Sequence, residues 1–274
     1  MKQILTIFSC FLASLALVSF IPQPDKSFDI KKKLKHNFAL VPSGTVIIEG
    51  NTSAIKSFYI SKTEVSNEDY NLFVKDIAAS GDKVLLEKVQ MDNQKWETVC
   101  HNTPFVTLYS THQSYSNYPA VNITYEGAVE YCKWLTENAN KDSKKGPVYE
   151  ARLPTREEWV RAAEGNLSRI NYAWGGQYVR NSKGCDLCQY NGTSEAVPLY
   201  DIRNYPCKTD AYFPNTIGLY NMNGNAAEMV AQKGMAVGGS WASKDSEVKI
   251  LSTMTYQEPS PIVGFRPIVM ITEK

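Results

Sequence analysis

Apolar residues recur at helical spacing in three segments of the chain, and each segment has a recognisable start. The first begins at Ser66 and the second near Thr124. The third begins at Thr155, which forms a T-x-x-E capping box with Glu158, and Gly165 is its expected stop. The apolar positions are, in order, Tyr70, Phe73, Val74 and Ile77; Ala128, Tyr131, Cys132 and Leu135; and Trp159, Ala162 and Ala163.

Short β-rich runs lie outside these helices. Residues 38–50 predict two strands around a turn at Pro42, Ser43 and Gly44, and residues 58–65 predict another strand. From 166 to 270 turn-forming residues dominate, and no long amphipathic segment occurs. About three helices among short strands and long loops predict one α+β domain over residues 38–274 that is largely irregular.

The N-terminal residues read as a targeting segment followed by a linker. Lys2 precedes an uncharged, apolar run from Ile4 to Ile21, which predicts a signal peptide over residues 1–21. An uncleaved membrane anchor is the alternative, because the run is just long enough to span a bilayer. Residues 22–37 are polar and Lys-rich, and a basic run downstream of an anchor would oppose the positive-inside rule. We therefore expect an exported protein, in the periplasm, in the cell envelope or secreted, with membrane anchoring as the alternative.

Charge excludes one class of partner. The chain has 29 Lys and Arg against 28 Asp and Glu, a formal net charge of +1. A domain that binds nucleic acid by neutralising phosphates needs a marked basic excess, so nucleic acid is not an expected partner.

Five short motifs occur in order along the chain: RLPTREEW at 152–159, YAWG at 172–175, NTIGLYNMNGNAAE at 215–228, GGSW at 238–241 and GFR at 264–266. In this order they resemble the sulfatase-modifying-factor family, which contains the formylglycine-generating enzymes. The resemblance covers about 39–270, is poor between about 80 and 114, and implies a C-type-lectin-like fold with long loops. Residues 115–121 and 172–185 look most similar to an exported bacterial branch that includes gliding-motility lipoproteins.

The resemblance also implies where copper chemistry would take place. Formylglycine generation in the family uses two cysteines, three and eight positions after the serine of the Gly-Gly-Ser motif. Counted from Ser240, these positions hold Ser243 and Val248, which offer no thiolate to a soft copper ion. We therefore expect neither copper nor formylglycine-generating activity. The implied pocket at Ser240, Trp241 and Ser243 would then bind a protein, a peptide or a glycan of the envelope.

Calcium is the cofactor that the resemblance favours. It places an ion at the segment 223–228, where the side-chain oxygens of Asn225 and Glu228 would join backbone carbonyls. A Gly-Asn turn capped by its own side chain is the alternative. A second calcium site of the family is not expected, because Gln189 stands where the family has an asparagine ligand.

The cysteines leave several readings open. Cys185 and Cys188 form a C-x-x-C pair, which is typical of thioredoxin-like redox sites, of zinc sites or of a loop disulfide. In an exported domain, a structural disulfide from one of the two to Cys207 is the simplest account. Cys132 has no such partner, because its family counterpart's partner is Pro267 here, and we expect it to be a buried free thiol.

A non-heme-iron site, as in another branch of the family, would need histidines. The chain has only His36, His101 and His112, without a His-x-x-x-His arrangement, so iron is not expected. Two functions therefore compete: a non-catalytic binding or structural module of the envelope, and an oxidoreductase of the same family, of formylglycine-generating or non-heme-iron type, that uses a different metal site.

Overall fold

A computed structural model describes residues 36–99, 104–141, 147–192 and 205–273 of the chain. The segment 1–21, the linker up to residue 35, Cys100 and His101 lie outside the described residues. Within them the chain is an α+β domain of short helices and short strands, as the sequence predicts.

Three helices begin at the residues that the pattern indicates. They are α1 (Asn67–Ser80), capped by Ser66; a later helix over Tyr125–Asn140, capped by Thr124; and a third over Arg156–Glu164, capped by Thr155. The Thr155 hydroxyl accepts the Glu158 N–H at 3.2 Å, and the Glu158 carboxylate accepts the Thr155 N–H at 2.8 Å. Gly165 ends this helix, which confirms the capping box and the stop.

The stretch with poor family resemblance contains helices that the sequence pattern does not reveal. These are α2 (Lys83–Val89), α3 (Phe105–Leu108) and two 3₁₀ segments, Asn93–Thr98 and Gln113–Tyr115. Each is two turns or less, too short for helical periodicity to show. In chain order the helix over Tyr125–Asn140 is α4 and the helix over Arg156–Glu164 is α5.

The described residues contain strands β1 (Phe38–Val41), β2 (Gly44–Ile48), β3 (Asn51–Ile55), β4 (Phe58–Ser61), β5 (Val148–Arg152), β6 (Ala227–Met229), β7 (Met235–Val237), β8 (Thr253–Thr255), β9 (Val263–Phe265) and β10 (Ile268–Thr272). The two strands predicted around Pro42 form, but β1 pairs with β4 and β2 pairs with β3. The strand predicted over 58–65 is shorter and ends at Ser61.

Two four-stranded sheets position the core. One is antiparallel with the order β1-β4-β10-β5, and the other has the order β8-β7-β6-β9, in which β6 and β9 run parallel. Because successive side chains of a strand point to opposite faces, Ile268 of β10 packs with Trp159 of α5 while Val269 packs with Tyr131 of α4. The first sheet therefore has apolar side chains on both faces. Among the described residues, no helix is long and apolar enough to cross a membrane.

Candidate functional site

A tight turn before β6 carries the residues that the sequence singles out for calcium. Asn221, Gly224 and Asn225 all have positive φ, of 51°, 79° and 64°. A Cβ at Gly224 would lie 2.2 Å from the Gln189 carbonyl oxygen, so only glycine fits this close approach. The turn thus joins the segment around Gln189 to the start of β6.

Glu228 of β6 is buried and ion-paired with buried Arg266. The guanidinium donates from Nε to both carboxylate oxygens, at 3.1 and 3.0 Å, and from Nη2 to Oε1 at 2.7 Å. Trp159 Nε1 donates to Oε2 at 2.7 Å. The remaining Arg266 donors reach the carbonyls of Ser61 and Tyr220 at 3.0 and 2.7 Å. The pair therefore fastens β4, α5, β6 and the segment after β9 together.

Asn225 is fully engaged as well. Its Oδ1 accepts the Cys207 N–H at 2.8 Å and the Cys207 thiol at 3.4 Å, and its Nδ2 donates to Glu64 Oε1 at 2.8 Å. Its backbone N–H donates to the Gln189 carbonyl at 2.8 Å. One asparagine therefore links three distant segments of the chain.

These hydrogen bonds decide which oxygen atoms remain available to coordinate a calcium ion. Both oxygens of Glu228 already accept from a cationic guanidinium and an indole, and the Asn225 oxygen faces the Cys207 N–H. A calcium ion needs free oxygen donors and would lie beside a like charge here. With these hydrogen bonds the two side chains do not fit a calcium site, and chelation tests the calcium expected from the sequence. The positive φ values of the turn match the alternative reading, a Gly-Asn turn.

Glu64 is the site residue that sequence reasoning missed. It is buried, and its two carboxylate oxygens accept from Asn225 Nδ2 at 2.8 Å and Asn221 Nδ2 at 3.2 Å. The pKa of Glu64 is raised to about 8, chiefly by burial; Arg266 opposes the rise and the charge of Glu228 adds to it. A lone glutamate between a strand and a helix gives no sequence signal of this environment.

The residues at the expected pocket and at the copper positions are buried. Ser240 and Trp241 are 0% and 4% exposed, and Ser243 is 9% exposed. The Ser243 hydroxyl accepts the Ser240 N–H at 3.1 Å, and the Trp241 ring stacks on Trp96. Val248 packs among Tyr172, Cys188 and Tyr190. The predicted pocket at Ser240, Trp241 and Ser243 is therefore filled by the domain's own packing.

An open cleft lies next to the Val248 cluster. It is shallow, with a cavity volume of about 10 Å³, and Trp174, which stacks on Tyr172 at 5.0 Å between ring centroids, forms one wall. Phe213 is 90% exposed, and Tyr212 beside it has a φ of 62°. The described residues that line the cleft include no charged side chain: Ala173, Trp174, Leu187, Cys188, Tyr212, Phe213, Asn215, Leu219, Asn221, Met222 and Asn223.

The amide groups around this cleft are already used by the protein. Asn215 donates to the carbonyls of Ala162 and Ala163, and Asn223 Oδ1 accepts the Ala173 N–H at 2.8 Å. Gln189, at the family's second calcium position, donates to the Tyr205 carbonyl at 2.6 Å and accepts the Tyr212 hydroxyl at 2.9 Å. The exposed lining of the cleft is thus mixed, with polar as well as apolar and aromatic groups.

The cysteines within the described residues are all thiols. Cys132 is buried, as predicted, and burial raises its pKa to about 12. Cys185 is exposed, Cys188 is buried and Cys207 is half-buried. The predicted bond from Cys185 or Cys188 to Cys207 is not formed in this structure. Cys188 lines the cleft.

The two described histidines have local roles. His112 is exposed and its Nδ1 accepts the Ser114 N–H at the start of a 3₁₀ segment. His36 lies before β1, and its carbonyl accepts from Lys62 Nζ. Among the described residues, no three His, Cys, Asp or Glu side chains are grouped to hold a metal ion.

The described residues form a mixed α+β fold around a buried Glu–Arg pair, and comparison with known proteins identifies the family. The sulfatase-modifying factor enzyme 1-like domain family matches residues 29–271, and this chain belongs to it. The chain is 33% identical over 120 residues to a formylglycine-generating enzyme of Thermomonospora curvata, a match that covers 42% of this chain and 33% of that enzyme.

Two mammalian relatives match over longer segments. The mouse formylglycine-generating enzyme is 26% identical over 202 residues, covering 64% of this chain and 48% of the enzyme. The bovine inactive C-alpha-formylglycine-generating enzyme 2 is 27% identical over 165 residues, covering 54% of this chain and 49% of that protein. The chain thus spans a third to about half of these relatives' lengths.

Solved structures confirm the fold. PvdO of Pseudomonas aeruginosa superposes with a TM-score of 0.58 at 17% identity, covering 85% of this chain and 93% of PvdO. CarF superposes with a TM-score of 0.56 at 17% identity, covering 85% and 97% of the two chains.

Proposed function

We propose that this protein is a sulfatase-modifying-factor-like binding module of the cell envelope that does not generate formylglycine. The observation that carries the proposal is the state of the two copper positions. The Ser243 hydroxyl accepts a hydrogen bond from the Ser240 N–H, and Val248 is packed in an apolar cluster. A neutral hydroxyl and an isopropyl group cannot replace soft anionic ligands. The family also contains a relative whose name calls it inactive.

The binding surface of this proposal is the aromatic cleft rather than the filled pocket at Ser240. Because the cleft is shallow, an apolar group, such as an aromatic or aliphatic side chain of a peptide, would lie over its uncharged lining and against the exposed Phe213. Aromatic residues at the centre of an interface carry much of the binding energy.

Catalysis is tested with a Cys-containing peptide of the sulfatase type, incubated with the protein with and without copper. We expect no conversion, and an active formylglycine-generating enzyme serves as the positive control. A product with the mass of the aldehyde would overturn the proposal. Metal analysis of the purified protein tests the alternative, since an oxidoreductase of the family would carry a redox metal.

Binding is tested with a panel of short peptides that differ in one apolar side chain. Phe213→Ala should weaken binding by about tenfold or more, because an exposed aromatic contact is lost. Val84→Ala removes another exposed apolar side chain, on α2, and should leave affinity unchanged. Equal affinities of both variants and wild type would exclude the cleft.

A further inference from the structure

Cys188 and Cys207 lie on two segments that are both hydrogen-bonded to Asn225. The residue after Cys188 is Gln189, whose carbonyl accepts the Asn225 N–H at 2.8 Å. Cys207 donates its own N–H to Asn225 Oδ1 at 2.8 Å. Gln189 Nε2 also donates to the Tyr205 carbonyl at 2.6 Å, so the two cysteine-bearing segments are joined both directly and through Asn225.

These two cysteines are buried or half-buried, whereas the third, Cys185, is exposed. Cys188 is in an apolar cluster with Val179 and Tyr190, and Cys207 is half-buried with its thiol directed at Asn225 Oδ1. Cys185 is exposed, and its N–H is bonded to Asn181 Oδ1 within its own loop. The C-x-x-C pair also lies in a loop, not at the start of a helix as in thioredoxin-like redox sites.

Electrostatics agrees with this arrangement. Burial, followed by the charge of Glu64, raises the pKa of Cys207, and a charge on Cys188 raises it further. The pKa of Tyr212 is raised by burial and by charge on both cysteines. The two thiols are thus within electrostatic reach of each other beside the cleft.

We propose that Cys188 and Cys207 form a disulfide that fixes one wall of the aromatic cleft, with Cys185 left as a thiol. The bond forms by exchange with a disulfide-containing oxidant. Each cysteine loses its proton, a sulfur–sulfur bond forms between the two, and the oxidant's disulfide takes up two electrons and two protons to become two thiols. This bond forms whatever the cleft binds.

Peptide mapping of the full chain is the primary test. Because buried thiols with raised pKa values exchange slowly, the protein is refolded in a buffer of oxidised and reduced glutathione. It is then unfolded, alkylated and digested. We expect alkylated Cys185 and a cross-linked peptide pair containing Cys188 and Cys207. Alkylation of both Cys188 and Cys207, or a link to Cys185 or Cys100, would overturn the proposal.

Thermal unfolding gives an independent readout. The oxidised protein should melt about 5–10 °C above the reduced protein, because the bond restricts the unfolded chain. Cys188→Ala and Cys207→Ala should abolish the difference, and the matched control Cys185→Ala should retain it. A difference that is lost in the Cys185 variant would contradict the assignment. The peptide map of the wild type decides the question if a buried variant does not fold.

Discussion

Two carboxylates and one guanidinium share the buried centre of this domain. Glu228 takes most of the hydrogen bonds of Arg266, and Glu64 is bonded to two asparagine amides instead. One buried cation cannot compensate two buried anions, so the free energy of the site is lower when Glu64 is protonated. The charge state of Glu64 is therefore a determinant of stability.

Glu64→Gln should change how stability depends on pH. The folded pKa of about 8 lies above the ordinary 4.5, so the contribution of this group is complete below pH 4.5 and is lost as the pH rises through 8. In wild type the melting temperature should fall across this window. Glu64→Gln should flatten the fall, because a neutral amide does not titrate.

Melting curves at several pH values check this expectation, with Glu137→Gln on the exposed side of α4 as the matched control. The control should follow the wild type. Parallel curves for all three proteins would show that Glu64 is charged throughout.

At the scale of elements, local signals predict helix starts well and strand partners poorly. Ser66, Thr124 and Thr155 cap their own helices through bonds to residues three positions on, so sequence spacing alone identifies them. Strands β6 and β9 are three residues each and buried throughout, which removes the alternation that identifies a strand.

The site shows the same limit on sequence reasoning. The motifs single out Glu228 and Asn225, but the hydrogen-bond partners of both lie far along the chain, at Arg266, Glu64 and Cys207. The sequence does not predict the cleft, because only the tertiary fold brings Trp174 and Phe213 together. Contacts between residues so far apart along the chain produce no motif or regular spacing in a single sequence.

Thr155→Ala should destabilise the domain by about 1 kcal/mol, because the first turn of α5 loses the hydroxyl that accepts the Glu158 N–H. The measurement is denaturant unfolding. Thr98→Ala is the control, since its exposed hydroxyl bonds only to the Lys95 carbonyl and caps no α-helix. An equal loss in both variants would mean that the capping box contributes nothing specific.

At the scale of the whole molecule, the response of stability to a chelator differs according to whether Glu228 binds a calcium ion or only pairs with Arg266. Glu228→Gln should lower stability by about 3–5 kcal/mol with or without a chelator, because Arg266 is left buried without its charged partner. From the bonding at Glu228 and Asn225, we expect chelation to leave the wild-type melting temperature unchanged.

Calcium at this turn would give the opposite pattern. Chelation would lower the melting temperature of the wild type, since a ligand of the native state is removed, and the Glu228 variant would no longer respond. The two proteins measured with and without chelator therefore decide between a calcium site and an arginine-paired glutamate.

The position of β10 sets the order in which the molecule can assemble. This strand lies between β4 and β5 in the first sheet, although it follows both by more than a hundred residues along the chain. Until residues 268–272 have paired, β4 lacks one neighbour and β5 has none within that sheet. Such distant pairings make folding slow and expose unpaired strand edges meanwhile. The edges of β4 and β5 that face β10 therefore stay open to pairing with other chains until β10 is in place.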